Sequence, residues 1–140
     1  MFPVRLVIDT NVLVSAAIKP AGLQRTVLLL ALAKPVRLYV SRPILQEYGE
    51  VLGRPELMIR KGARQHLLQL IENRSYLVAP RRPLEVASDP DDNIFVECAD
   101  AAGADYLVTG NQKHFPRFWK KTKIVTPREF IILSAPHLVK

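Results

Sequence analysis

Cysteine is nearly absent: Cys98 is the only one in 140 residues. A single cysteine excludes an internal disulfide and a cysteine metal cluster, and its neighbours Val96, Ala99 and Ala102 predict a buried, inert thiol. This usage fits a reducing compartment, so we expect the cytoplasm. No apolar run reaches the roughly 20 residues of a membrane span, and residues 1–5 show no secretory leader. We therefore expect no membrane partner.

Several motifs of common enzyme classes are also absent. The chain contains no Walker loop, no GxGxxG fingerprint and no GxSxG nucleophile elbow. Its three histidines, His66, His114 and His137, lack the spacing of metal ligands. Nucleotide-binding proteins and serine hydrolases of these types are therefore not expected.

Acidic residues are outnumbered. Twenty Lys and Arg face thirteen Asp and Glu, which gives a net charge of +7 and a pI of about 9.9. A domain this basic favours a polyanionic partner, nucleic acid before membrane. The alternative is that the excess charge serves solubility alone.

The hydrophobic pattern alternates short β-branched runs with longer helical ones, which predicts βαβ units in one α/β domain over residues 1–140. The predicted strands are Val4 to Ile8, Val36 to Val40, Tyr76 to Ala79, Tyr106 to Thr109, and Ile124 to Val125. The predicted helices are Asn11 to Ile18, Leu23 to Ala33, Ser41 to Leu52, Glu56 to Asn73 with a break near Gly62, Asn93 to Ala102, and one opened by Thr126, Pro127 and Glu129.

Three acids lie at or near the ends of these elements. Asp9 follows the first strand directly, where ligands bind in parallel sheets, although an Asp there more often caps a helix. At 100° per residue, Glu47 falls at about 300° from Ile44, on the shoulder of the apolar stripe. Glu50 falls near 240° and predicts a solvated charge. A surface role for Glu47 stays open as well.

The third acid belongs to the segment "SDPDDNIFVECADAAG". Asp89 reads as a helix cap, and Asp91 and Asp92 stand in the first turn. Asp92 adjoins the buried face, whereas Glu97 and Asp100 are predicted on the polar face. If the first and fourth strands are neighbours, Asp9 and Asp92 converge. Like charges this close require a cation, and oxygen ligands favour Mg²⁺ or Mn²⁺.

Three motifs, in order, resemble those of PIN-domain proteins of the toxin-like, VapC-related group: "VIDTNVLVSAAI", "SRPILQEYGEVLGRP" and "DPDDNIFVECADAAGADYLVTGNQKHF". The resemblance extends over about residues 4–130. It implies a three-layer α/β/α sandwich on a central parallel sheet. It also implies a metal-dependent ribonuclease, the toxin of a toxin–antitoxin pair, which hydrolyses phosphodiesters with metal-activated water.

Carried over motif by motif, the resemblance makes Asp9, Glu47 and Asp92 the catalytic, metal-binding acids. Asn11 and Thr109 become polar supports of the site. Many family members carry an Asp after "VTG", where this chain has Asn111. An Asn can hold a metal-bound water but supplies no charge, so the number of metals, one or two, stays open. The implied partners are RNA, an antitoxin protein and a second copy of the chain.

The segment "KHFPRFWKKTK" carries five basic residues and no acid, which predicts RNA contacts through Lys113, Arg117, Lys120, Lys121 and Lys123. We expect Phe115 and Trp119 to pack into the core; base stacking by the aromatic residues of this segment is the less favoured alternative. For a dimer, the apolar Leu67-Leu68-Leu70-Ile71 face is a candidate contact.

Three other functions fit the sequence less well. A PIN-like module that binds RNA or protein without cleaving is favoured by Asn111. A haloacid-dehalogenase-type phosphatase requires an acid two residues after Asp9, and Asn11 stands there. A response-regulator receiver requires a lysine at a strand end, and no lysine stands at a suitable place after "LVTGN".

Overall fold

The central sheet has six strands in a computed structural model that describes residues 3–138. They are β1 (Arg5–Ile8), β2 (Arg37–Val40), β3 (Tyr76–Leu77), β4 (Tyr106–Val108), β5 (Phe118–Trp119) and β6 (Thr122–Val125). Their spatial order is β3-β2-β1-β4-β6-β5. All pairs are parallel except the antiparallel pair of β5 and β6.

Helices pack on this sheet and give the predicted α/β/α sandwich. They are α1 (Thr10–Ile18), α2 (Leu23–Ala31), α3 (Arg42–Leu52), α4 (Lys61–Arg74), α5 (Asn93–Ala102) and α6 (Pro127–Ser134). Their ends follow local chemistry: the Ser41 hydroxyl accepts a hydrogen bond from the Ile44 N–H, and Thr126 and Glu129 form a capping box. Gly103, at φ +59°, ends α5 in the left-handed conformation that glycine adopts without strain.

Two predicted helices differ from the structure by more than one residue at an end. The second helix ends at Ala31 rather than Ala33. The predicted helix from Glu56 is divided into a 3-10 turn at Pro55–Leu57 and α4, because Met58 adopts a left-handed backbone at φ 55°. Gly62 lies inside α4 rather than at the break.

The two-residue strand β5 was not predicted. It pairs with β6 through a tight turn at Lys120 and Lys121, with Lys120 at φ 52°. Such turns are recognised in sequences by Asn-Gly or Asp-Gly pairs, and this one has neither. The sheet is therefore mostly parallel, with one antiparallel edge strand.

Strand order places a topological switch point between β1 and β4. The chain passes from β1 outward through β2 to β3, and then returns to the other side of β1 as β4. Ile8 pairs with Val108, so the carboxyl ends of the two strands lie side by side. Asp9 and Thr109 follow these ends directly. In open parallel sheets, this is the place where ligands bind.

Within residues 3–138, no single helix is long and apolar enough to cross a membrane; by length and composition alone, α1 and α2 pass that test together, as a pair bent by 110°.

The face of α4 considered for dimer contacts packs largely on the protein's own core. Ile71 is fully buried, and Leu67, Leu68 and Leu70 are half-buried against it. A homodimer stays a prediction, and Ile71 cannot contribute to its interface because it is fully buried.

Candidate active site

Asp9 is a buried acid at the carboxyl end of β1. It is 5% exposed, and its carboxylate accepts a hydrogen bond from the Thr109 hydroxyl at 2.7 Å. Asp9 occupies the N-cap position of α1 by backbone conformation, yet its side chain makes no capping hydrogen bond. The helix-cap explanation of this acid is therefore wrong, and its burial requires another reason.

Thr109 is the residue that fixes the orientation of the Asp9 carboxylate. It is fully buried, and its N–H donates to the Val125 carbonyl at 2.9 Å. Its hydroxyl also accepts a hydrogen bond from the Asn111 N–H at 3.0 Å. Because that acceptor site is occupied by a backbone donor, the hydroxyl proton is directed to Asp9.

Glu47 reaches the same region from α3. Its carboxylate accepts a hydrogen bond from the Thr10 hydroxyl at 2.7 Å, which ties α3 to the first residue of α1. The neighbouring Tyr48 is buried, and its hydroxyl donates to the Ile8 carbonyl at the end of β1. Glu50 is exposed. Glu47 is half-buried, so the predicted difference in placement between Glu47 and Glu50 is confirmed.

Asp92 approaches from the start of α5, where it is half-buried and makes no capping hydrogen bond. As predicted, Asp89 is a cap: it begins the 3-10 turn Pro90–Asp92 that leads into α5, and its carboxylate accepts a hydrogen bond from the Asp91 N–H at 3.0 Å. The preceding loop is held by the buried Asn93, whose side-chain oxygen accepts from the Val86 and Ala87 N–H groups. The carboxylate of Asp92 is thus left unused by the helix end.

These acids share one open cleft of about 550 Å³, here called the acidic cleft. It is lined by the acids Asp9, Glu47, Glu56, Asp89, Asp91 and Asp92, by Asn11 and Asn111, and by two residues that can carry positive charge, Arg54 and His114. Three separated segments of the chain therefore converge at the switch point, as the strand argument required.

The cleft opposes ionisation of Asp9 and Asp92, whose pKa values are raised. Burial raises the pKa of Asp9 to about 6, the Thr109 hydrogen bond lowers it in part, and the negative charges of Asp92 and Glu47 raise it further. The pKa of Asp92 is also raised, first by burial and then by the charge of Asp89. A bound cation would reverse this penalty by stabilising the charged carboxylates.

The donor atoms in the cleft are oxygens, which suits a hard divalent cation. Within residues 3–138, no three Asp, Glu, His or Cys side chains are close enough together to enclose one ion. Mg²⁺ commonly keeps several waters and uses only one or two protein carboxylates. The residues therefore fit a partly hydrated ion held by few ligands rather than a closed protein cage.

A model of the PIN domain family matches residues 5–113. The chain belongs to the PIN-domain family. PIN domains are generally nucleases. A relative, the uncharacterized protein MJ1680 of Methanocaldococcus jannaschii, is 30% identical over 140 residues, which covers 91% of this chain and 90% of that protein. The predicted resemblance to PIN-domain proteins is thus confirmed.

Two solved structures share the PIN fold. VapBC2 from Rickettsia felis, bound to a DNA fragment from its promoter, matches with a TM-score of 0.60 and 18% identity, covering 87% of this chain and 98% of that chain. FitAB bound to the IR36 DNA fragment matches with a TM-score of 0.55 and 15% identity, covering 87% and 94%. At these identities the likeness establishes the fold alone.

The other predicted supports of this PIN domain also border the cleft. The Asn11 side-chain oxygen accepts a hydrogen bond from the Gly110 N–H at 3.1 Å, which joins α1 to the loop after β4. Asn111 lines the cleft and is exposed. His114 was not predicted there, yet its Nδ1 lies 3.5 Å from Asp92 Oδ2. His114 lies far from Asp92 along the chain, so no sequence pattern indicates that the two side chains meet.

The five predicted RNA-contacting residues fall into two groups. Lys113, Arg117 and Lys123 line a groove of about 640 Å³ beside β6 and α6. Lys120 and Lys121 are instead engaged with acids: Lys120 Nζ lies 2.9 Å from Asp100 Oδ1, and Lys121 Nζ lies 3.5 Å from Asp105.

The prediction that Asp100 lies on the polar face is wrong. Its side chain is 2% exposed beneath the β5–β6 turn, where it pairs with Lys120 and accepts a hydrogen bond from Trp119 Nε1 at 3.1 Å. The Lys120 hydrogen bond lowers the pKa of Asp100 against the opposing effect of burial. Glu97 is half-buried and accepts from the Leu84 N–H at 2.9 Å. The unpredicted hairpin is the reason for the error.

The aromatic residues of this segment have different environments. Phe115 is buried and Trp119 is half-buried, as expected for core packing. Phe118 is 64% exposed and lines the basic groove. Of the three, Phe118 is therefore the one available to a stacked base.

Proposed function

We propose that this PIN domain is a metal-dependent ribonuclease that hydrolyses single-stranded RNA in the acidic cleft. The observation that carries the proposal is Asp9, whose buried carboxylate makes no capping hydrogen bond and shares a cleft with Glu47 and Asp92. Burying an acid beside two others opposes folding unless a cation or substrate makes use of it.

The cation in this proposal is Mg²⁺ or Mn²⁺. Asp9 and Asp92 would hold it, with Glu47 at the rim. When bound, such an ion lowers the pKa of water and neutralises charge on a reacting phosphate. Thr109 keeps the Asp9 carboxylate pointed into the cleft, and the Asn11–Gly110 hydrogen bond fixes the adjoining loop.

Arg54 is suited to contact the substrate phosphate. It is the one Lys or Arg that lines the acidic cleft, and within residues 3–138 it makes no ion pair. A guanidinium offers paired N–H donors that match phosphate oxygens. Arg54 therefore supplies positive charge on the wall of a cleft that otherwise repels RNA.

The groove of Lys113, Arg117 and Lys123 is the proposed path of the RNA beyond the cleft. The 3-10 turn Gln112–His114 separates the two, with His114 lining the cleft and Lys113 lining the groove. Cations along a groove with the exposed Phe118 ring suit a phosphate backbone with stacked bases. Lys120 and Lys121 are left out of this path because acids hold them.

The fold likeness to VapBC2 and FitAB supports a toxin role with an antitoxin protein as partner. A PIN-like module that binds RNA or protein without efficient cleavage is the alternative. It is favoured by Asn111, which supplies no charge at the cleft, and by the lack of a three-ligand cluster among residues 3–138.

The test of the proposed function is cleavage of a labelled single-stranded RNA with and without Mn²⁺. The wild type is expected to cleave only with the metal, and Asp92→Asn to lose at least 100-fold in rate, on the order of 3 kcal/mol of transition-state stabilisation. Glu50→Gln is the matched control, since Glu50 is an exposed acid of the region. Binding of RNA by the wild type without any cleavage would favour the alternative.

Asn111→Asp is expected to strengthen metal binding, because it adds an anionic oxygen to the cleft. Without metal it adds like-charge repulsion, so the free energy of unfolding should fall by roughly 0.5 to 2 kcal/mol. Thermal melts with and without Mn²⁺ measure both effects. A variant that shows neither a lower metal-free melting temperature nor a larger gain with Mn²⁺ would place position 111 outside the metal site.

A further inference from the structure

A second cationic surface lies at the amino ends of the strands, at the opposite end of the sheet from the acidic cleft. Lys34, Arg37, Arg74 and Tyr76, here called the amino-end patch, line two adjoining concavities of about 280 and 520 Å³. Lys34 and Tyr76 line both of them, Arg37 the smaller and Arg74 the larger. The patch is therefore one continuous surface around the Tyr76 ring.

The sheet holds Arg37 and Tyr76 in a fixed arrangement. Tyr39 pairs with Tyr76 in register, and Arg37 stands two residues before Tyr39, so all three project from the same face. The Arg37 guanidinium lies 5.1 Å from the centre of the Tyr76 ring, and the two tyrosine rings are 5.4 Å apart. Cation–π contact of this kind orients a guanidinium while its N–H groups stay free for an anion.

The charges of this patch are not balanced locally. Among the residues that the structure describes, neither concavity is lined by Asp or Glu, and Lys34, Arg37 and Arg74 form no ion pair. Lys120 and Lys121, by contrast, have acidic partners. Three uncompensated cations line the concavities around one aromatic ring, Tyr76, which is 41% exposed. The patch thus combines the two features by which single strands are bound, charge for the backbone and an aromatic surface.

We propose that the amino-end patch is a second nucleic-acid site, which binds the phosphodiester backbone of a single strand away from the acidic cleft. The choice of RNA as its physiological ligand rests on the proposed function. The patch faces the opposite ends of the strands from Asp9, so it engages a segment remote from the reacting phosphate. Its effect is on affinity for longer strands rather than on the chemical step.

The test is metal-free binding of a fluorescent single-stranded oligonucleotide of about twenty uridines, followed by anisotropy at several salt concentrations. The double variant Lys34→Ala, Arg74→Ala is expected to bind about tenfold more weakly at physiological salt. Its log–log salt slope should flatten by about 1.4, which corresponds to two phosphate contacts on a single strand. The matched control is Lys19→Ala, Arg42→Ala, which removes the same two charge types from exposed positions that line neither the patch nor the cleft.

A patch variant with unchanged affinity and slope, or a loss equal to that of the control, would overturn the proposal. So would an unchanged oligonucleotide affinity combined with lost binding to phosphatidylserine vesicles, which would identify a membrane surface instead. Because the assay contains no metal, it is independent of cleavage: a wild type that never cleaves defeats the proposed ribonuclease while the patch result stands. Melting temperatures equal to the wild type show that the variants are folded, and Arg37→Lys, which keeps the charge, provides a milder second variant.

Discussion

Replacing Asp9 with asparagine is expected to abolish metal-dependent RNA cleavage and, without metal, to make the protein more stable at neutral pH. Burial and the neighbouring acids raise the pKa of Asp9 to about 6, against 3.8 for an ordinary Asp. A difference of this size corresponds to about 3 kcal/mol of opposition to folding at pH 7. Asparagine keeps an oxygen that can accept the Thr109 hydrogen bond but carries no charge. We expect a gain of about 1 to 3 kcal/mol, or roughly 3 to 10 °C.

The pH dependence of stability distinguishes this prediction from a purely structural role of the Asp9 carboxylate. Between pH 4 and pH 6 the folded wild type binds a proton at Asp9 that the unfolded chain has released, so its stability falls as the pH rises through this window. Asp9→Asn lacks this loss, and the two melting curves should separate as the pH rises toward 7. Melts in a metal chelator between pH 4 and pH 8 measure the effect, with Glu50→Gln as control. An Asp9→Asn protein that melts lower than the wild type would mean that the charged carboxylate stabilises the fold.

Replacing Lys120 with alanine is expected to destabilise the fold and to leave RNA binding nearly unchanged. Its ammonium lies 2.9 Å from the buried Asp100 carboxylate, and its loss leaves that charge with Trp119 and the distant Arg81. Removing one partner of a buried ion pair costs several kcal/mol of stability. Because Lys120 is itself half-exposed, we expect the free energy of unfolding to fall by about 2 kcal/mol.

The control variant, Arg117→Ala, removes an exposed cation of the groove instead. It should keep the melting temperature and flatten the salt slope of RNA binding by about 0.7.

Acid titration separates the two roles further. The pKa of Asp100 is lowered chiefly by its hydrogen bond with Lys120, so the stabilisation exists above the ordinary Asp pKa and disappears as the pH falls through the folded value. The Lys120→Ala and wild-type proteins should therefore differ in urea unfolding at pH 7 and converge in acid, as the pH falls through the lowered pKa of Asp100. If Lys120→Ala were as stable as the wild type at pH 7 and had a flatter salt dependence of RNA binding, Lys120 would be an RNA contact instead.

The predicted acids that the structure brings together are those whose position follows from local periodicity or strand ends. Asp9 was recognised because a buried strand stops at it, and Glu47 because it flanks an apolar helical stripe. Thr109 and Asn11 come from the PIN-domain resemblance; Asn11 lines the cleft, and the buried Thr109 hydrogen-bonds the Asp9 carboxylate. These features depend on short stretches of sequence and on one long-range contact, the pairing of β1 with β4.

The errors concern contacts that a linear pattern does not encode. Helical geometry predicts Asp100 on the polar face of α5, but its partners, Lys120 and Trp119, lie on a hairpin that has no sequence signal. His114 lacks the spacing of a metal ligand in the sequence, yet the loop after β4 brings its Nδ1 to 3.5 Å from Asp92 Oδ2. The exposed amino-end patch depends on the register of β2 with β3, which periodicity alone does not determine.

The most direct test of the central claim is anomalous X-ray diffraction from crystals of the wild-type protein soaked in Mn²⁺. The proposed function predicts one strong anomalous peak in the acidic cleft, at a distance of about 2.0 to 2.3 Å from oxygens of both Asp9 and Asp92. The peak should be absent from Asp9→Asn crystals soaked in the same way. Full Mn²⁺ occupancy elsewhere with an empty acidic cleft, in a protein that still cleaves RNA, would contradict it.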